Sequence, residues 1–231
     1  FRTATDLPLM YRPAILDILT AVNDILLRVN IDLILYAIPA LIIAISLHEM
    51  MHSVVGYWLG DDTAHEHGRL TLNPLRHIDP VTTVALPLVL VALGMQPFAA
   101  AKPVPINTSR LKFEEFGMAL VGVAGPLTNL LLAIVVTLLV KIFDPSGWIL
   151  QFLLMNIAMN IGLFVFNMIP FPPLDGSRVL YAFAPEPVQN LMMQIERMGF
   201  SAILIFMFVG FPIISPAIYS AQQFILRILL S

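Results

Sequence analysis

Long runs of apolar residues recur along this chain, and they leave few architectures open to it. Residues 31–59, 116–141 and 148–169 are almost entirely apolar, and each is long enough to supply the roughly 20 residues that a helix needs to cross a bilayer. The whole chain is 58% hydrophobic and only 12% charged, whereas soluble domains are about 25% charged. Because only helices and closed barrels satisfy their backbone groups in lipid, these runs predict an all-α, polytopic membrane protein with about four to six transmembrane helices.

The other apolar segments are shorter or interrupted. Residues 81–95 contain a proline and would cover only roughly 23 Å as a helix, which is less than the bilayer core, so we predict a re-entrant segment there. Residues 198–214 predict a last span that Pro212 and Pro216 break, followed by an amphipathic or spanning tail.

Two parts of the chain differ in their pattern. Apolar residues recur with a helical period through residues 14–30, so residues 1–30 are predicted to form an amphipathic N-terminal helix on the membrane surface or against the bundle. Residues 31–231 contain no repeat and no low-complexity linker, and they predict a single membrane-embedded domain.

Charge and cysteine content narrow the possible partners and sites. The formal net charge of −3 gives no basic footprint, so nucleic acid is not an expected partner. The chain has no cysteine, so any bound metal must use histidine and carboxylate ligands. The cations between the first two long runs are a modest cytoplasmic signal if residues 81–95 are re-entrant. These cations are Arg69, Arg76, Lys102, Arg110 and Lys112.

Three ionisable residues lie within one turn and a half of the first long run: His48, Glu49 and His52. Such residues are costly inside a bilayer and are usually functional, so a role in packing alone is disfavoured. On a helix the two histidines lie one turn apart and face the same way, so both imidazoles can reach one metal ion. Glu49 is then placed to take a proton from a water at that metal. This is the H-E-x-x-H pattern of zinc peptidases.

A catalytic zinc needs a third protein ligand and an open position for water. The remaining histidines, His65, His67 and His77, all lie in the polar stretch that follows the first run. Asp175 is the leading candidate, because it ends the third long run in a proline-rich turn. Irregular backbone at membrane depth is tolerated only where it lines a cavity or is covered by protein.

Five motifs in this order resemble the site-2 protease family of intramembrane zinc metalloproteases, in its compact bacterial and archaeal branch without PDZ or CBS domains. They are His48–His52, Gly68–Pro74, Ala101–Pro105, Ala124–Asn129 and Asn167–Gly176. The resemblance covers residues 31–182, the core of the predicted domain.

The resemblance implies a role for each matching residue. His48, His52 and Asp175 would bind one catalytic Zn²⁺ ion, and Glu49 would be the catalytic base. Asn167 would orient the substrate or stabilise the oxyanion, for which its amide N–H₂ group is a suitable donor. A hydrogen bond that only packs helices is the alternative for Asn167.

The resemblance also implies an activity and a location. It predicts a zinc-dependent endopeptidase that hydrolyses peptide bonds in or near transmembrane segments, as in regulated intramembrane proteolysis. The expected substrate is a membrane protein such as an anti-sigma factor, a membrane-tethered transcription factor or a remnant signal peptide. The enzyme would be a multi-pass protein of a bacterial or archaeal plasma membrane, in contact with the lipid bilayer.

A substrate-binding strand is a separate hypothesis. The segment Arg69, Leu70, Thr71, Leu72 and Asn73 alternates polar with apolar residues and is bounded by Gly68 and Pro74. This pattern predicts a short strand or hairpin. An extended substrate peptide could add to it as a further strand, with its backbone groups satisfied.

Other polar residues have structural interpretations. Asn156 and Asn160 are expected to make packing hydrogen bonds, with the lining of a water path as the alternative. We expect His77 to pair with Asp79, and His65 and His67 to be solvated loop residues.

Three other functions are open to such a sequence. A membrane metal-binding or transport protein could use His65 and His67 as a loop site, but it has no need for a glutamate directly after the first histidine. A non-catalytic scaffold derived from a protease usually loses the glutamate or a ligand, and both are present here. A membrane protease of the prenyl-protein type would need Glu186 or Glu196 as its third ligand, and neither lies in a matching motif.

Overall fold

The computed structural model describes residues 31–85, 87, 89 and 101–230, and these residues contain helices and no strand. The predicted N-terminal helix of residues 1–30 lies outside the described residues, as does most of the segment 81–95. Within the described part, four helices are long and apolar enough to cross a membrane. The all-α fold predicted from the apolar runs is therefore confirmed in the described residues, and four of its helices suit a membrane.

Eight α-helices follow one another in the described part of the chain. They are α1 (Ile31–Trp58), α2 (Thr63–Glu66), α3 (Glu114–Phe143), α4 (Gly147–Asn167), α5 (Gly176–Phe183), α6 (Glu186–Arg197), α7 (Phe200–Ile205) and α8 (Phe211–Leu230). Single 3₁₀ turns lie at Pro74–Arg76 and Thr108–Arg110, and π-helical turns at Pro80–Ala85 and Phe206–Gly210.

Helix α3 is the centre of the bundle and packs against α1, α4 and α5. Its buried face is built mainly from small residues, which let neighbouring backbones approach closely. Gly117, Ala119, Gly122, Ala124 and Gly125 all lie on this buried face. Further along α3, Ala133 packs with Ile157 and Ile161 of α4 in a fully buried apolar cluster.

The helices alternate in direction. Asp144 adopts the left-handed conformation directly after α3, and α4 starts at Gly147, so these two helices run antiparallel. The N–H of Lys112 donates to the carbonyl of Leu59 (2.8 Å), which places the start of α3 beside the end of α1. Helices α1 and α4 therefore run in the same direction, and their C-terminal ends lie at the same end of the bundle.

A second hydrogen bond bears on the segment 81–95. The N–H of Lys102 donates to the carbonyl of His77 (2.8 Å), so the chain returns at residue 102 to the point it left at residue 77. The re-entrant interpretation of residues 81–95 stays a prediction, because most of these residues lie outside the described part of the chain.

The predicted strand or hairpin at Arg69–Asn73 is wrong. The segment is a loop of turns, because its carbonyl groups accept hydrogen bonds from within the loop and from α1. The carbonyl of Arg69 accepts hydrogen bonds from the N–H of Thr71 (2.9 Å) and from the hydroxyl of Ser53 (3.3 Å). The carbonyl of Thr71 in turn lies 2.8 Å from Nε2 of His77.

The last span is not broken at its prolines. Helix α7, the π-helical turn and α8 follow one another without a gap, and Ser201–Leu230 forms one candidate span. Pro216 has no N–H to give to the carbonyl of Pro212, and the hydroxyl of Ser215 donates to that carbonyl instead (3.2 Å). A side chain thus satisfies the acceptor that the proline leaves open.

The expected pair between His77 and Asp79 is also absent. His77 is fully buried and its Nε2 faces the carbonyl of Thr71. Asp79 instead caps the π-helical turn, where its carboxylate accepts the backbone N–H groups of Thr82 and Val81 (both 2.9 Å). These bonds hold the pKa of Asp79 below its usual value.

Candidate active site

Two histidines within α1 and one aspartate from the turn after α4 lie close together. The rings of His48 and His52 are 4.7 Å apart between centroids and nearly perpendicular. Oδ2 of Asp175 lies 3.0 Å from Nε2 of His48 and 3.4 Å from Nε2 of His52. Both histidines are buried, and Asp175 is partly buried. Residues that are 123 positions apart in the chain thus form one cluster.

The turn between α4 and α5 places Asp175. After α4 ends, the N–H of Phe171 donates to the carbonyl of Ile169 (2.8 Å) and the N–H of Leu174 to that of Phe171 (2.8 Å). Gly176 then packs directly on the end of α4, where a Cβ would lie 2.4 Å from the carbonyl oxygen of Met168. The turn therefore folds back over α4 and directs Asp175 toward α1.

The outer nitrogen of each imidazole faces an oxygen acceptor. Nδ1 of His52 lies 2.7 Å from the backbone carbonyl of Val121, and Nδ1 of His48 lies 2.6 Å from Oδ1 of Asn129. A carbonyl oxygen can only accept a hydrogen bond, so each Nδ1 carries the proton. In the neutral imidazoles both Nε2 atoms then keep a free lone pair, and both face Asp175.

This donor set fits a zinc ion. Two imidazole nitrogens and a carboxylate oxygen converge on one point, and a metal ion there would replace any proton held between them. A tetrahedral zinc with bonds of about 2.0–2.1 Å separates its ligand atoms by roughly 3.3–3.4 Å, close to the observed 3.0 and 3.4 Å. Among the described residues, His48, His52 and Asp175 are the one group of three side chains that could hold a metal ion.

Gly125 of α3 provides the space for the two rings. A Cβ at this position would lie 2.4 Å from Nε2 of His52 and 2.6 Å from Nε2 of His48. The absence of a side chain on α3 is therefore part of how the cluster is built.

A cavity of about 230 Å³ opens onto this cluster. Glu49, His48, His52, Asp175 and Asn167 all line it, so the predicted base and the predicted oxyanion donor share one space with the three ligands. The extended segment 101–106 forms another wall, through Ala101, Pro103, Val104 and Ile106.

Asn167 is the last residue of α4 and its hydrogen bond does not pack one helix on another, while its role toward the substrate stays a prediction. It lines the cavity, and its Nδ2 donates to the carbonyl of Leu163 one turn earlier (3.0 Å). This helix-internal bond uses one of the two amide hydrogens, and the other hydrogen is available to a group in the cavity.

The structure does not bring Arg69, Leu70, Thr71, Leu72 or Asn73 to the cavity wall. Arg69 is buried in its own loop, where its guanidinium donates to the carbonyl groups of Arg76 and Lys102. His65 and His67 are exposed, as expected for solvated loop residues.

Sequence reasoning missed Asn129. It is fully buried and contacts the ring of His48, yet it received no role. Its position in the motif Ala124–Asn129 was the available signal. Asn160 makes the expected packing hydrogen bond, since its Oδ1 accepts from Nδ2 of Asn129 on α3 (2.9 Å). Within α4, Nδ2 of Asn160 also donates to both oxygens of Asn156 (2.9 Å each).

Proteins similar in sequence to this chain are named as zinc metalloproteases. The chain is 37% identical over 191 residues to "Putative zinc metalloprotease YwhC" of Bacillus subtilis, covering 79% of this chain and 84% of the relative. It is 26% identical over 177 residues to "Putative zinc metalloprotease Rip2" of Mycolicibacterium smegmatis, covering 76% and 67% of the two chains. A shorter match, 40% identical over 83 residues, is to "Putative zinc metalloprotease MJ0611" of Methanocaldococcus jannaschii, covering 36% and 42%.

No family model and no solved structure matches the chain. The first relative is nevertheless similar over most of both chains, and all three bear the name of a zinc metalloprotease. With four candidate membrane helices and a two-histidine, one-aspartate cluster that suits zinc, the chain belongs to this family of zinc metalloproteases, consistent with the compact branch of the site-2 proteases.

Proposed function

We propose that this protein is a zinc-dependent intramembrane endopeptidase that hydrolyses peptide bonds in or near transmembrane segments of membrane proteins. The depth of the metal cluster carries the proposal. Within the candidate span Leu35–Trp58, His48 lies 13 residues from the first residue and 10 residues from the last. At a rise of 1.5 Å per residue these distances are about 20 Å and about 15 Å, so the cluster is near the middle of the span.

The proposed reaction divides the work among the cavity residues. His48, His52 and Asp175 hold the zinc ion, which when bound makes a water more acidic and polarises a carbonyl. Glu49 takes the proton of the attacking water and delivers it to the leaving amine. Asn167 offers its second amide hydrogen to the oxygen on which negative charge develops. Each of these side chains lines the same cavity.

The substrate must change shape to be cut. A transmembrane helix keeps its carbonyl groups in internal hydrogen bonds, so the scissile part has to unwind before it enters the cavity. The extended wall 101–106 is where an unwound peptide would lie beside the catalytic residues. On the family resemblance, the substrate is a single-span protein such as an anti-sigma factor, a membrane-tethered transcription factor or a remnant signal peptide, and the enzyme is a multi-pass protein of the plasma membrane.

The test is cleavage of a transmembrane peptide by the protein purified in detergent, with products mapped by mass spectrometry. Wild type is expected to cut within or next to the apolar segment. The control Glu49→Gln keeps the size of the side chain and removes the base. It is expected to keep stoichiometric zinc and to lose at least about a hundredfold in kcat, the usual contribution of a general base.

Two results would contradict the proposal. One is equal cleavage by wild type and Glu49→Gln, which would remove Glu49 from the chemistry. The other is zinc bound by both proteins with no cleavage of any of several transmembrane peptides, which is the behaviour of a metal-binding or scaffold protein.

A further inference from the structure

A chain of three buried asparagines connects α4, across α3, to the metal cluster on α1. Asn156 and Asn160 lie on α4 and Asn129 lies on α3. Asn129 and Asn160 have no exposed surface, and Asn156 is 5% exposed. Burying three amides is costly unless each is hydrogen-bonded, and here each is bonded to the next. The chain ends 2.6 Å from Nδ1 of His48.

The direction of these hydrogen bonds is fixed by two backbone carbonyls. A primary amide can turn either its oxygen or its N–H₂ group toward a neighbour. Nδ2 of Asn160 lies 2.9 Å from the backbone oxygen of Asn156, which can only accept, so the N–H₂ group of Asn160 must face that way. The oxygen of Asn160 is then left to face α3.

The orientation of the Asn129 amide on α3 is fixed in the same way. Nδ2 of Asn129 lies 2.9 Å from Oδ1 of Asn160 and 3.3 Å from the backbone oxygen of Ala44. Both partners can only accept, so the N–H₂ group of Asn129 faces them and its oxygen faces His48. The amide is therefore held in one of its two orientations from two sides.

This orientation decides which nitrogen of His48 is free. An oxygen at Nδ1 requires a proton on Nδ1, and the lone pair of Nε2 then faces Asp175 and His52. With the amide of Asn129 turned over, its N–H₂ group would face Nδ1 and place the ring proton on Nε2, which could no longer bind a metal. Groups that orient a ligand histidine in this way usually change metal affinity by about 10–100-fold.

We propose that Asn129 is the positioning residue for His48, and that Asn160 and Asn156 hold it so that His48 presents Nε2 to the metal. The inference rests on the proposed role of His48 as a zinc ligand. It assigns a purpose to the two asparagines of α4, and it makes the docking of α4 on α3 a condition for tight zinc binding.

The experiment measures zinc affinity by chelator competition in the purified full chain, with and without the chain of amides. Asn129→Leu removes the acceptor and is expected to weaken zinc binding about 10–100-fold. Asn160→Leu touches no proposed ligand, yet it frees the amide of Asn129 and is expected to weaken binding by about tenfold.

Two further variants calibrate these values. Thr137→Val removes a buried polar group from α3 whose hydroxyl donates only to Ala133 (2.7 Å) and does not contact the cluster. It is expected to bind zinc like wild type. His48→Ala is expected to lose tight binding. Nitrogen-15 NMR at limiting zinc gives a second readout: His48 is expected to bind zinc through Nε2 and to carry its proton on Nδ1 in wild type, and to give a mixture of zinc-bound and zinc-free rings in Asn160→Leu.

The possible outcomes test the role of Asn129 and the zinc site itself separately. Zinc affinity of Asn129→Leu within about twofold of wild type, with His48→Ala losing zinc, would overturn the role of Asn129 and leave the zinc site standing. An equal loss in Thr137→Val and Asn129→Leu would also overturn it, because the removal of any buried polar group from α3, and not of the acceptor at His48, would then matter. Zinc retained by His48→Ala would overturn the proposed zinc site itself.

Discussion

Gly125 lets two imidazole rings lie against α3, and this contact yields a prediction at the scale of single residues. A Cβ there would come within 2.4 Å and 2.6 Å of the two Nε2 atoms of the cluster, closer than non-bonded atoms approach. Gly125→Ala is therefore expected to displace both rings and to weaken zinc binding by at least about tenfold. The measurement is zinc content after dialysis against a graded series of chelator concentrations.

Gly162→Ala on α4 is the matched control for that substitution. A Cβ at Gly162 would meet its nearest neighbour, Nε2 of Gln222, at 3.8 Å, which is an ordinary contact. Alanine also favours a helix over glycine by about 1 kcal/mol, so this variant is expected to keep its zinc. Equal zinc affinities for the two variants would show that Gly125 is not needed for its small size.

The residues of the cluster differ in how well the sequence could foretell their positions. The placement of His48 beside His52 follows from helical periodicity alone, because residues four apart share a face. Asp175 could be expected there because it is a carboxylate at the end of an apolar run. Asn129 could not be assigned, because its contact depends on how closely α3 approaches α1 and on which way a buried amide turns.

At the scale of elements, the last span shows how a helix continues past a proline. Ser215→Ala removes the hydroxyl that donates to the carbonyl of Pro212, and it leaves that carbonyl without the partner that Pro216 cannot supply. An unsatisfied acceptor costs about 1 kcal/mol or more. The free energy of unfolding in detergent is therefore expected to fall by about that amount, as measured by thermal or denaturant unfolding.

Ser220→Ala provides the comparison on the same helix. The hydroxyl of Ser220 donates to the carbonyl of Pro216 (2.8 Å), but in an α-helix the backbone N–H of Ser220 reaches the same carbonyl. Losing the hydroxyl leaves that acceptor satisfied, so a change of less than about 0.5 kcal/mol is expected. Equal losses in both variants would mean that Ser215 does not compensate for the proline.

Two errors at this scale have the same physical origin. The alternation in Arg69–Asn73 predicts a strand, and the two prolines of the last span predict a break. Both predictions assume that backbone groups bond only to other backbone groups. In the structure, side chains bond to these backbone carbonyls. Ser53 and His77 contact carbonyls of Arg69–Asn73, and Ser215 donates to one in the last span. Long apolar helices were predictable because burial in lipid acts on whole segments.

For the whole molecule, the hydrogen bond between Lys112 and Leu59 predicts the topology of the loop between the first two spans. Both ends of that loop are expected on one side of the membrane, and the turn between α3 and α4 on the other. The chain has no native cysteine, so single cysteines can report the side directly. His67→Cys and Ser109→Cys are expected to react with an impermeant maleimide from the same side.

Ser146→Cys, in the exposed turn before α4, is the opposing probe and is expected to react from the other side only. Labelling intact cells and inside-out vesicles distinguishes the two sides. Opposite labelling of positions 67 and 109 would show that the segment between them crosses the membrane. The positive charges of the loop do not by themselves give the side of the membrane on which it lies, because the count on each side depends on where residues 81–95 lie.

The distance along the chain between His52 and Asp175 also bears on how the protein is made. Synthesis proceeds from the N-terminus, so the two histidines enter the membrane well before the aspartate, 123 residues later, exists. A nascent chain that holds only α1 and α3 has two of the three side chains that form the cluster. It acquires the complete set only when α4 has inserted and its terminal turn has folded back. In the function proposed above, a partly synthesised chain therefore could not yet cleave the membrane proteins around it.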